Sequence, residues 1–447
     1  MNRQGLIAAA LFVAVFAVYL LSPNATPFDS RWTVHTALSI IHERNADLNE
    51  YAPVLRKDHW YAIECFLPDG QRIYPVPPRG VCAGRAYHFY PIAVPLLVSP
   101  AVAALEWVLP AVRPLAGRVA PGPRRAFLSG DLAASSTLVE LLLASLIVAA
   151  AAVIVFLFGS QLADWRAALL IALVFAFATS AWSTGSRALW MHGFSMVLLP
   201  AGLWAMWRGR WAAAGAVLVL AFFARPTNVA PLVFAGVWGL TQGRRAALHF
   251  ALGAAPVALV FVGINEATYG TLMAPFFFGT RANTASLSLH SRLGEALLGN
   301  LISPSRGLFV YTPVAVFSLY GVWLWIRGGA ERAVGVYLAA VFVAHYLLMS
   351  LYEDWFGGHS YGPRYFSDLS SLFALALLPI RGRIRWALGV AVLVGVFMHA
   401  QGALCWPCVD WNSKPVEIRE SQWRLWDWSD PPFLRNVQPP PDRPVVK

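Results

Sequence analysis

The sequence predicts an all-α polytopic membrane protein, and three observations carry that prediction. Of 447 residues, 58% are hydrophobic and only 13% charged, where a soluble domain carries about 25% charged. Mean hydropathy is +0.56, and apolar runs long enough to cross about 30 Å of hydrocarbon recur along most of the chain. The connectors between those runs alternate in chemistry. One set is clipped and arginine-rich: Trp207-Arg208-Gly209-Arg210, Gly243-Arg244-Arg245, Ile326-Arg327-Gly328-Gly329 and Arg381-Gly382-Arg383-Ile384-Arg385. The other is longer and mixed: residues 28–32, 187–192, 225–228, 303–307 and 353–364. Short Lys/Arg-rich connectors stay cytoplasmic, so the mixed set is expected to gather on the opposite side.

The first run, residues 5–21, follows Asn2 and Arg3. It exceeds a typical signal-peptide core and lacks a clear small-x-small cleavage site, so a retained anchor is expected. A long first outer loop, 23–134, comes next. Ser30 to Glu43 has helical apolar spacing (Trp32, Ala37, Leu38, Ile41) with Ser30 as N-cap. Trp60 to Val76 reads as two strands around the turn Pro68-Asp69-Gly70. Tyr90 to Leu109 is apolar enough to cross but carries Pro91, Pro95, Pro100 and Glu106. Crossing would invert every later loop and put all four arginine-rich connectors outside. A juxtamembrane helix is therefore expected, with the Arg113, Arg118, Arg124, Arg125 cluster translocated inside a long loop.

Ten further runs are expected at 136–158, 167–183, 191–207, 211–224, 228–242, 246–268, 307–326, 333–352, 366–380 and 385–402. With the first they make about eleven transmembrane helices, N-terminus inside and C-terminus outside. Trp and Tyr crowd their ends, as interface belts do. The expected units are a membrane domain, 1–402, and a short extracytoplasmic tail, 403–447. No internal repeat is visible, which weakens a transporter built from duplicated halves.

The formal charge of +11 does not point to nucleic acid, because the arginines sit in inter-helical turns rather than along one face. The cysteines form two close pairs, Cys65/Cys82 and Cys405/Cys408, both on the side where disulfides persist. No thioredoxin-like pattern surrounds Cys405-Trp406-Pro407-Cys408, so structural staples are expected rather than redox chemistry or a zinc site.

The candidate chemistry lies in the mixed connectors. Asp29, just past the first run, is a possible general base or cation ligand; its bland reading is an acid stabilising the next helix. Glu140 lies inside an apolar run, where a carboxylate needs a partner or a polar ligand. Arg187 and His192 flank one turn and offer a phosphate fork and a proton donor, although a lone His there is as readily a cap. Arg225 and Arg306 occupy two more turns. The densest stretch is Glu353-Asp354-Trp355-Phe356-Gly357-Gly358-His359-Ser360-Tyr361-Gly362-Pro363-Arg364. Its glycines would let backbone N–H groups approach an anion, with Glu353, Asp354, His359 and Arg364 as ligand-binding groups. Four arginines at the membrane boundary (Arg187, Arg225, Arg306, Arg364) suit a lipid-linked phosphate whose tail lies between helices.

In layout the chain resembles the GT-C superfamily of polytopic glycosyltransferases, which use polyprenyl-phosphate sugars and include the aminoarabinose- and protein-mannosyltransferases. The resemblance rests on Asp29 after the first run, the long first loop with its Tyr90-Pro91 helix, and the stretches 302–309 and 355–364. It implies that Asp29 is the acidic residue of the first outer loop, acting as base or as ligand of a divalent cation (Mg or Mn); Asp354 is the other possible ligand. Many members carry a second acid in the next outer loop, where this chain has Ser186-Arg187 and His192. The expected activity is transfer of a sugar from a polyprenyl-phosphate donor to an extracytoplasmic lipid, glycan or protein, in the bacterial inner membrane. The alternative is a glycan or lipid transporter or polymerase of the cell envelope, which calls for charges midway along the helices.

Overall fold

The structure is a computed structural model that describes residues 3–57, 61–69, 71–73, 82–274, 276, 288–329 and 331–437. The described residues are mostly helical, with one small three-stranded sheet. α1 (Arg3–Leu21) is followed by the first loop, which holds α2 (Thr33–His42), α3 (Ala52–Lys57), a small sheet, α4 (Ala93–Val108) and α5 (Pro123–Ser129). The bundle then continues through α6 (Ser136–Leu162), α7 (Trp165–Phe177), α8 (Met191–Trp207), α9 (Trp211–Ala224), α10 (Val229–Thr241) and α11 (Arg244–Tyr269). α12 (Leu293–Ile302), α13 (Leu308–Tyr311), α14 (Val314–Arg327), α15 (Arg332–Ser350), α16 (Ser370–Ala376), α17 (Ile384–Leu404) and α18 (Trp406–Asp410) complete it.

Among the described residues, six stretches are long and apolar enough to cross a membrane: Arg3–Leu21, Ala93–Ala111, Ser136–Leu162, Arg244–Tyr269, Arg332–Ser350 and Ile384–Leu404. Trp165–Phe177, Trp211–Ala224, Leu293–Ile302 and Val314–Arg327 are apolar but shorter. The long helices leave large apolar side chains uncovered, such as Leu252 and Leu259 on α11 and Trp386, Val390 and Leu393 on α17. Contiguous surfaces of that kind fit lipid rather than water. This is the architecture of an all-α multi-pass membrane protein.

Several expected runs are broken by identifiable residues. Pro313 separates α13 from α14, dividing the run 307–326. The run 167–183 leaves α-geometry after Phe177 and ends in a π-helical turn, Ala181–Gly185. The run 366–380 is a 3-10 turn, Arg364–Leu369, leading into α16. α12 was not anticipated from sequence.

The two connector sets separate to opposite ends of the bundle. At one end Arg3 stacks on Trp165 (4.6 Å), Arg208 donates to Gln161 (3.1 Å) and Trp207 donates to Glu331 (2.9 Å). At the other, the Asn24 and Thr26 amides donate to the carbonyls of Ala403 and Arg187, Asp29 pairs with Arg364, and Arg306 donates to Gly358 (3.0 Å).

The first loop folds onto this second end. β1 (Ile63–Phe66) pairs antiparallel with β2 (Arg72–Ile73), as the hairpin reading expects, and on its other edge with β3 (Arg85–His88), which that reading missed. Residues 60, 70 and 74–76 of the expected hairpin lie outside the described residues. Cys65 is bonded to Cys82, and Cys405 to Cys408. Ser30 does not cap α2: the helix starts at Thr33 without a side-chain cap, because the Ser30 hydroxyl donates to Glu140 instead. α4 packs Val98 and Val102 against Val34, Ala37 and Leu38 of α2 and against Val139 and Leu143 at the start of α6. Its N-terminal turn, Ala93 and Val94, also packs with Val219, Phe223 and Ala224 of α9 and Phe261 of α11.

Close helix crossings rest on glycine. A Cβ on Gly253 (α11) would meet the Ala212 carbonyl oxygen of α9 at 1.9 Å, and one on Gly215 (α9) would meet the Phe250 carbonyl oxygen at 2.1 Å. Gly253→Leu therefore has to push α9 and α11 apart, and overpacking of this kind costs about 1–3 kcal/mol or more. The expected outcome is a lower unfolding temperature in detergent, with Gly263→Leu, on an open face of the same helix, left near wild type. Equal temperatures for the two variants would show that this crossing is not tight.

Candidate active site

Where the second end of the bundle gathers its connectors, Arg187 fixes the chain that leaves α1. Its guanidinium donates to the carbonyls of Tyr19, Ser22 (2.9 Å) and Asn24 (3.3 Å). The Asn24 amide donates to the Gly402 carbonyl (2.9 Å), and Trp190 donates to the Thr26 carbonyl (2.8 Å). Asp29 follows directly, held by main chain on both sides. One carboxylate oxygen accepts from the Tyr61 hydroxyl (2.9 Å) and the other from Arg364. His88 donates its Nε2–H to the Asp29 carbonyl at 2.9 Å. The Arg364 guanidinium also lies over the Trp190 ring, 4.3 Å from its centroid.

Asp29, His88, Tyr90, Trp190, His192 and Arg364 enclose a cavity of about 20 Å³, room for about one water. Burial pushes the Asp29 carboxyl up, but the Arg364 charge and hydrogen bonds from Tyr61, Tyr90 and Arg364 outweigh it. The net shift is downward, so Asp29 is ionised at neutral pH. Burial pushes the His88 imidazole down to about 4 against the pull of Asp29. It is a neutral donor.

A second buried cluster adjoins the first. Asp368 is fully buried and accepts from Arg225 and, at 3.4 Å, from Thr227. It also lies 2.9 Å from Nδ1 of His192 and 3.9 Å from Nε2 of His345. His192 therefore turns Nδ1–H to Asp368 and offers Nε2 to the cavity it lines. A carboxylate on one ring nitrogen fixes the tautomer and leaves the other as an acceptor. Glu140 forms a third node. One oxygen accepts from Ser30 and from the Leu189 amide (3.1 Å); the other, also buried, has no partner.

The remaining candidates lie elsewhere. Arg306 is buried and spends its donors on the carbonyls of Phe356 (2.7 Å), Ser305 (2.9 Å) and Gly358 (3.0 Å) and on the Asn412 side chain. It ties 303–307 to 355–364 and to the C-terminal segment, and presents nothing to the cavity. Arg187 is likewise occupied by main chain. Asp354 faces Arg419 at 3.7 Å, with Glu353 half-buried beside it, and His359 pairs with Glu417. Gly357, Gly358 and Gly362 adopt positive φ, so they shape the turn that delivers Arg364. The segment after α17 covers this end: Trp411 is buried beneath Arg424 (4.1 Å), and Ser303 donates to the Leu425 carbonyl (2.6 Å). Residues 438–447 of the expected tail lie outside the described residues.

The donor set at Asp29 does not fit a divalent cation. Mg²⁺ and Ca²⁺ take about six to eight oxygen ligands, whereas the Asp29 oxygens are shared with a guanidinium and two phenols. Among the described residues no three His, Cys, Asp or Glu side chains converge as metal ligands. Sequence reasoning missed Asp368, Tyr61, Tyr90, His88 and Trp190. Asp368 alone carried a signal: like Glu140, it is an acid bordering an apolar run.

Neither protein-family models, nor curated proteins, nor solved structures give a match to this chain. The geometry stands by itself.

The Asp29–Arg364 pair should contribute to stability with a definite sign in pH. A carboxyl with a depressed folded pKa stabilises fully above its unfolded value of about 4 and loses that contribution as pH falls through the folded value. The unfolding-temperature gap between wild type and Asp29→Asn is expected to be widest near neutral pH and to shrink below about pH 4. Breaking a buried pair costs about 3–5 kcal/mol, so Arg364→Ala should destabilise more than Asp354→Ala, whose partner is mostly exposed. A gap independent of pH would mean the pair is not formed.

Proposed function

We propose that this chain is an integral-membrane glycosyltransferase that moves a sugar from a polyprenyl-phosphate donor to an acceptor on the extracytoplasmic side of a bacterial inner membrane. In this reading α1, α6 to α11, the α13–α14 run, α15, the run 366–380 and α17 all cross, making eleven passes, and the arginine-rich end is cytoplasmic. One observation carries the proposal: Asp29 and Arg364 are paired at a small cavity at the end where the mixed connectors meet.

The pair supplies the two groups such a reaction needs. A guanidinium stacked on an aromatic ring presents a fixed fork for a phosphate, and a bundle-end position lets a polyprenyl tail stay in lipid while its head reaches that fork. Without substrate the fork is occupied by Asp29. A donor phosphate competes for it, and the released carboxylate loses the charge that holds its pKa down. Asp29 thus becomes a better base when the donor arrives. It takes the proton of an acceptor hydroxyl as the acceptor oxygen bonds to the anomeric carbon. The bond from that carbon to the phosphate oxygen breaks, and polyprenyl phosphate departs with the electron pair against Arg364. His192, oriented by Asp368, is placed to hydrogen-bond a sugar hydroxyl. The cavity as it stands holds about one water, so donor binding has to widen it as the phosphate displaces Asp29 from the fork.

Reconstituted protein incubated with radiolabelled polyprenyl-phosphate sugars and envelope lipid is expected to transfer label. Asp29→Asn should lower turnover by about 10²-fold or more while expression and monodispersity hold; wild-type turnover would remove Asp29 from the mechanism. Arg364→Lys should lose a comparable factor, since one ammonium replaces neither the fork nor the stacking. For sidedness, Asp354→Cys in intact spheroplasts is expected to react with a membrane-impermeant maleimide. Reaction only after permeabilisation would reverse the topology.

A further inference from the structure

A second and much larger cavity, of about 400 Å³, lies behind the first. The wall between them is a single stretch of chain, residues 28–33, whose side chains divide by face. Asp29, Ser30 and Thr33 line the small cavity, while Phe28, Arg31 and Trp32 line the large one. Ser30 links the two, because its hydroxyl donates to Glu140 on the far side. Glu140 is 1% exposed, and its second oxygen has no hydrogen-bond partner. A buried acceptor left unpaired is costly, and a ligand donor would relieve it. Trp406, from the segment after α17, closes another part of the large cavity.

We infer that the large cavity is the acceptor subsite and binds a saccharide unit, with the aromatic rings of Phe28, Trp32 and Trp406 under its apolar faces and a sugar hydroxyl donated to Glu140. The volume lies within the range of about 300–1,000 Å³ usual for small-ligand sites. Aromatic rings interleaved with Arg31, Ser136, Thr137 and Glu140 match a ligand that is apolar on its faces and hydroxylated at its edges. The Asp29 side chain lines the small cavity, so a reacting hydroxyl anchored in the large one has to pass the wall at 28–33 to meet it. The inference rests on the glycosyltransferase reading, since only a second substrate has to meet the first at Asp29.

All four native cysteines are bonded, so Thr137→Cys introduces the one free thiol, on the lining of the large cavity and exposed. This variant, in glycoside-free lipid nanodiscs, is labelled with N-ethylmaleimide in the presence of octyl β-glucoside, octyl α-mannoside, tetraethylene glycol monooctyl ether or undecaprenyl phosphate. At least one alkyl glycoside is expected to slow labelling several-fold, while the sugar-free ether and undecaprenyl phosphate do not. Adding Glu140→Gln, which puts an amide where one carboxyl oxygen stands, should weaken that protection several-fold. Ala134→Cys, on the same lining, serves if Thr137→Cys does not fold. Protection by the ether as well as by the glycosides makes the cavity a lipid groove, and protection by undecaprenyl phosphate alone makes it the donor's; either overturns the inference, as does no protection by any probe. Transfer is measured on the wild-type protein. Protection without transfer keeps the saccharide site and removes the glycosyltransferase reading, whereas transfer without protection removes the site alone.

Discussion

The functional end of this molecule depends on an ion pair between residues 335 positions apart, Asp29 beyond α1 and Arg364 before α16. Taking both charges out of water costs several kcal/mol each, and that cost is offset only where the surroundings are fixed. Here they are: Trp190 lies under the guanidinium, Tyr61 donates to the carboxylate, and His88 holds the Asp29 carbonyl. These partners come from the first loop, the turn before α8 and β3. The docked loop sheet supplies part of the pair's surroundings, which makes the first loop part of the site.

The arginines sort by what they bind. Arg187, Arg306 and Arg424 donate chiefly to main-chain carbonyls. Irregular backbone at the end of a membrane bundle carries carbonyls with no ladder or helix to satisfy them, and each unmet group is costly where water is scarce. One guanidinium can serve three or four at once. Arg225 and Arg364 instead face buried carboxylates. Sequence alone makes Arg187, Arg225, Arg306 and Arg364 equal candidates for a phosphate, because it shows a donor's presence and not its partner.

Much of the architecture was legible for a related reason. Hydrophobic runs and arginine-rich turns are local signals, and they located most of the helices as well as the separation of the two connector sets. The breaks were harder. Pro313 and the π-helical turn at Ala181–Gly185 interrupt apolar runs without changing their composition. β3 was missed because a four-residue strand pairing with β1 across the loop has no periodicity long enough to see. At the site, Asp29, His192 and Arg364 stood out as polar groups in short connectors. Tyr61, His88 and Tyr90 did not, since in a long polar loop such residues have no contrast with their neighbours. Ser30 misled: it reads as a helix cap, but Glu140, a buried carboxylate 110 positions away, competes for its hydroxyl and wins.

The two buried acid–arginine pairs differ in a way that separates framework from chemistry. Asp368 is wholly enclosed and is approached by Arg225, Thr227, His192 and His345 together, so exchanging any partner would strand a buried charge. The Asp29 and Arg364 side chains keep 11% and 13% of their surface accessible, and they border both a cavity and a thin wall of chain. An exchange there can be compensated by an incoming anion, and the aromatic seat under Arg364 stays in place while its partner changes. Two pairs of the same chemistry thus take opposite roles through access alone. The sealed pair fixes His192 against the cavity; under the proposed function the accessible pair is the one that a donor phosphate opens.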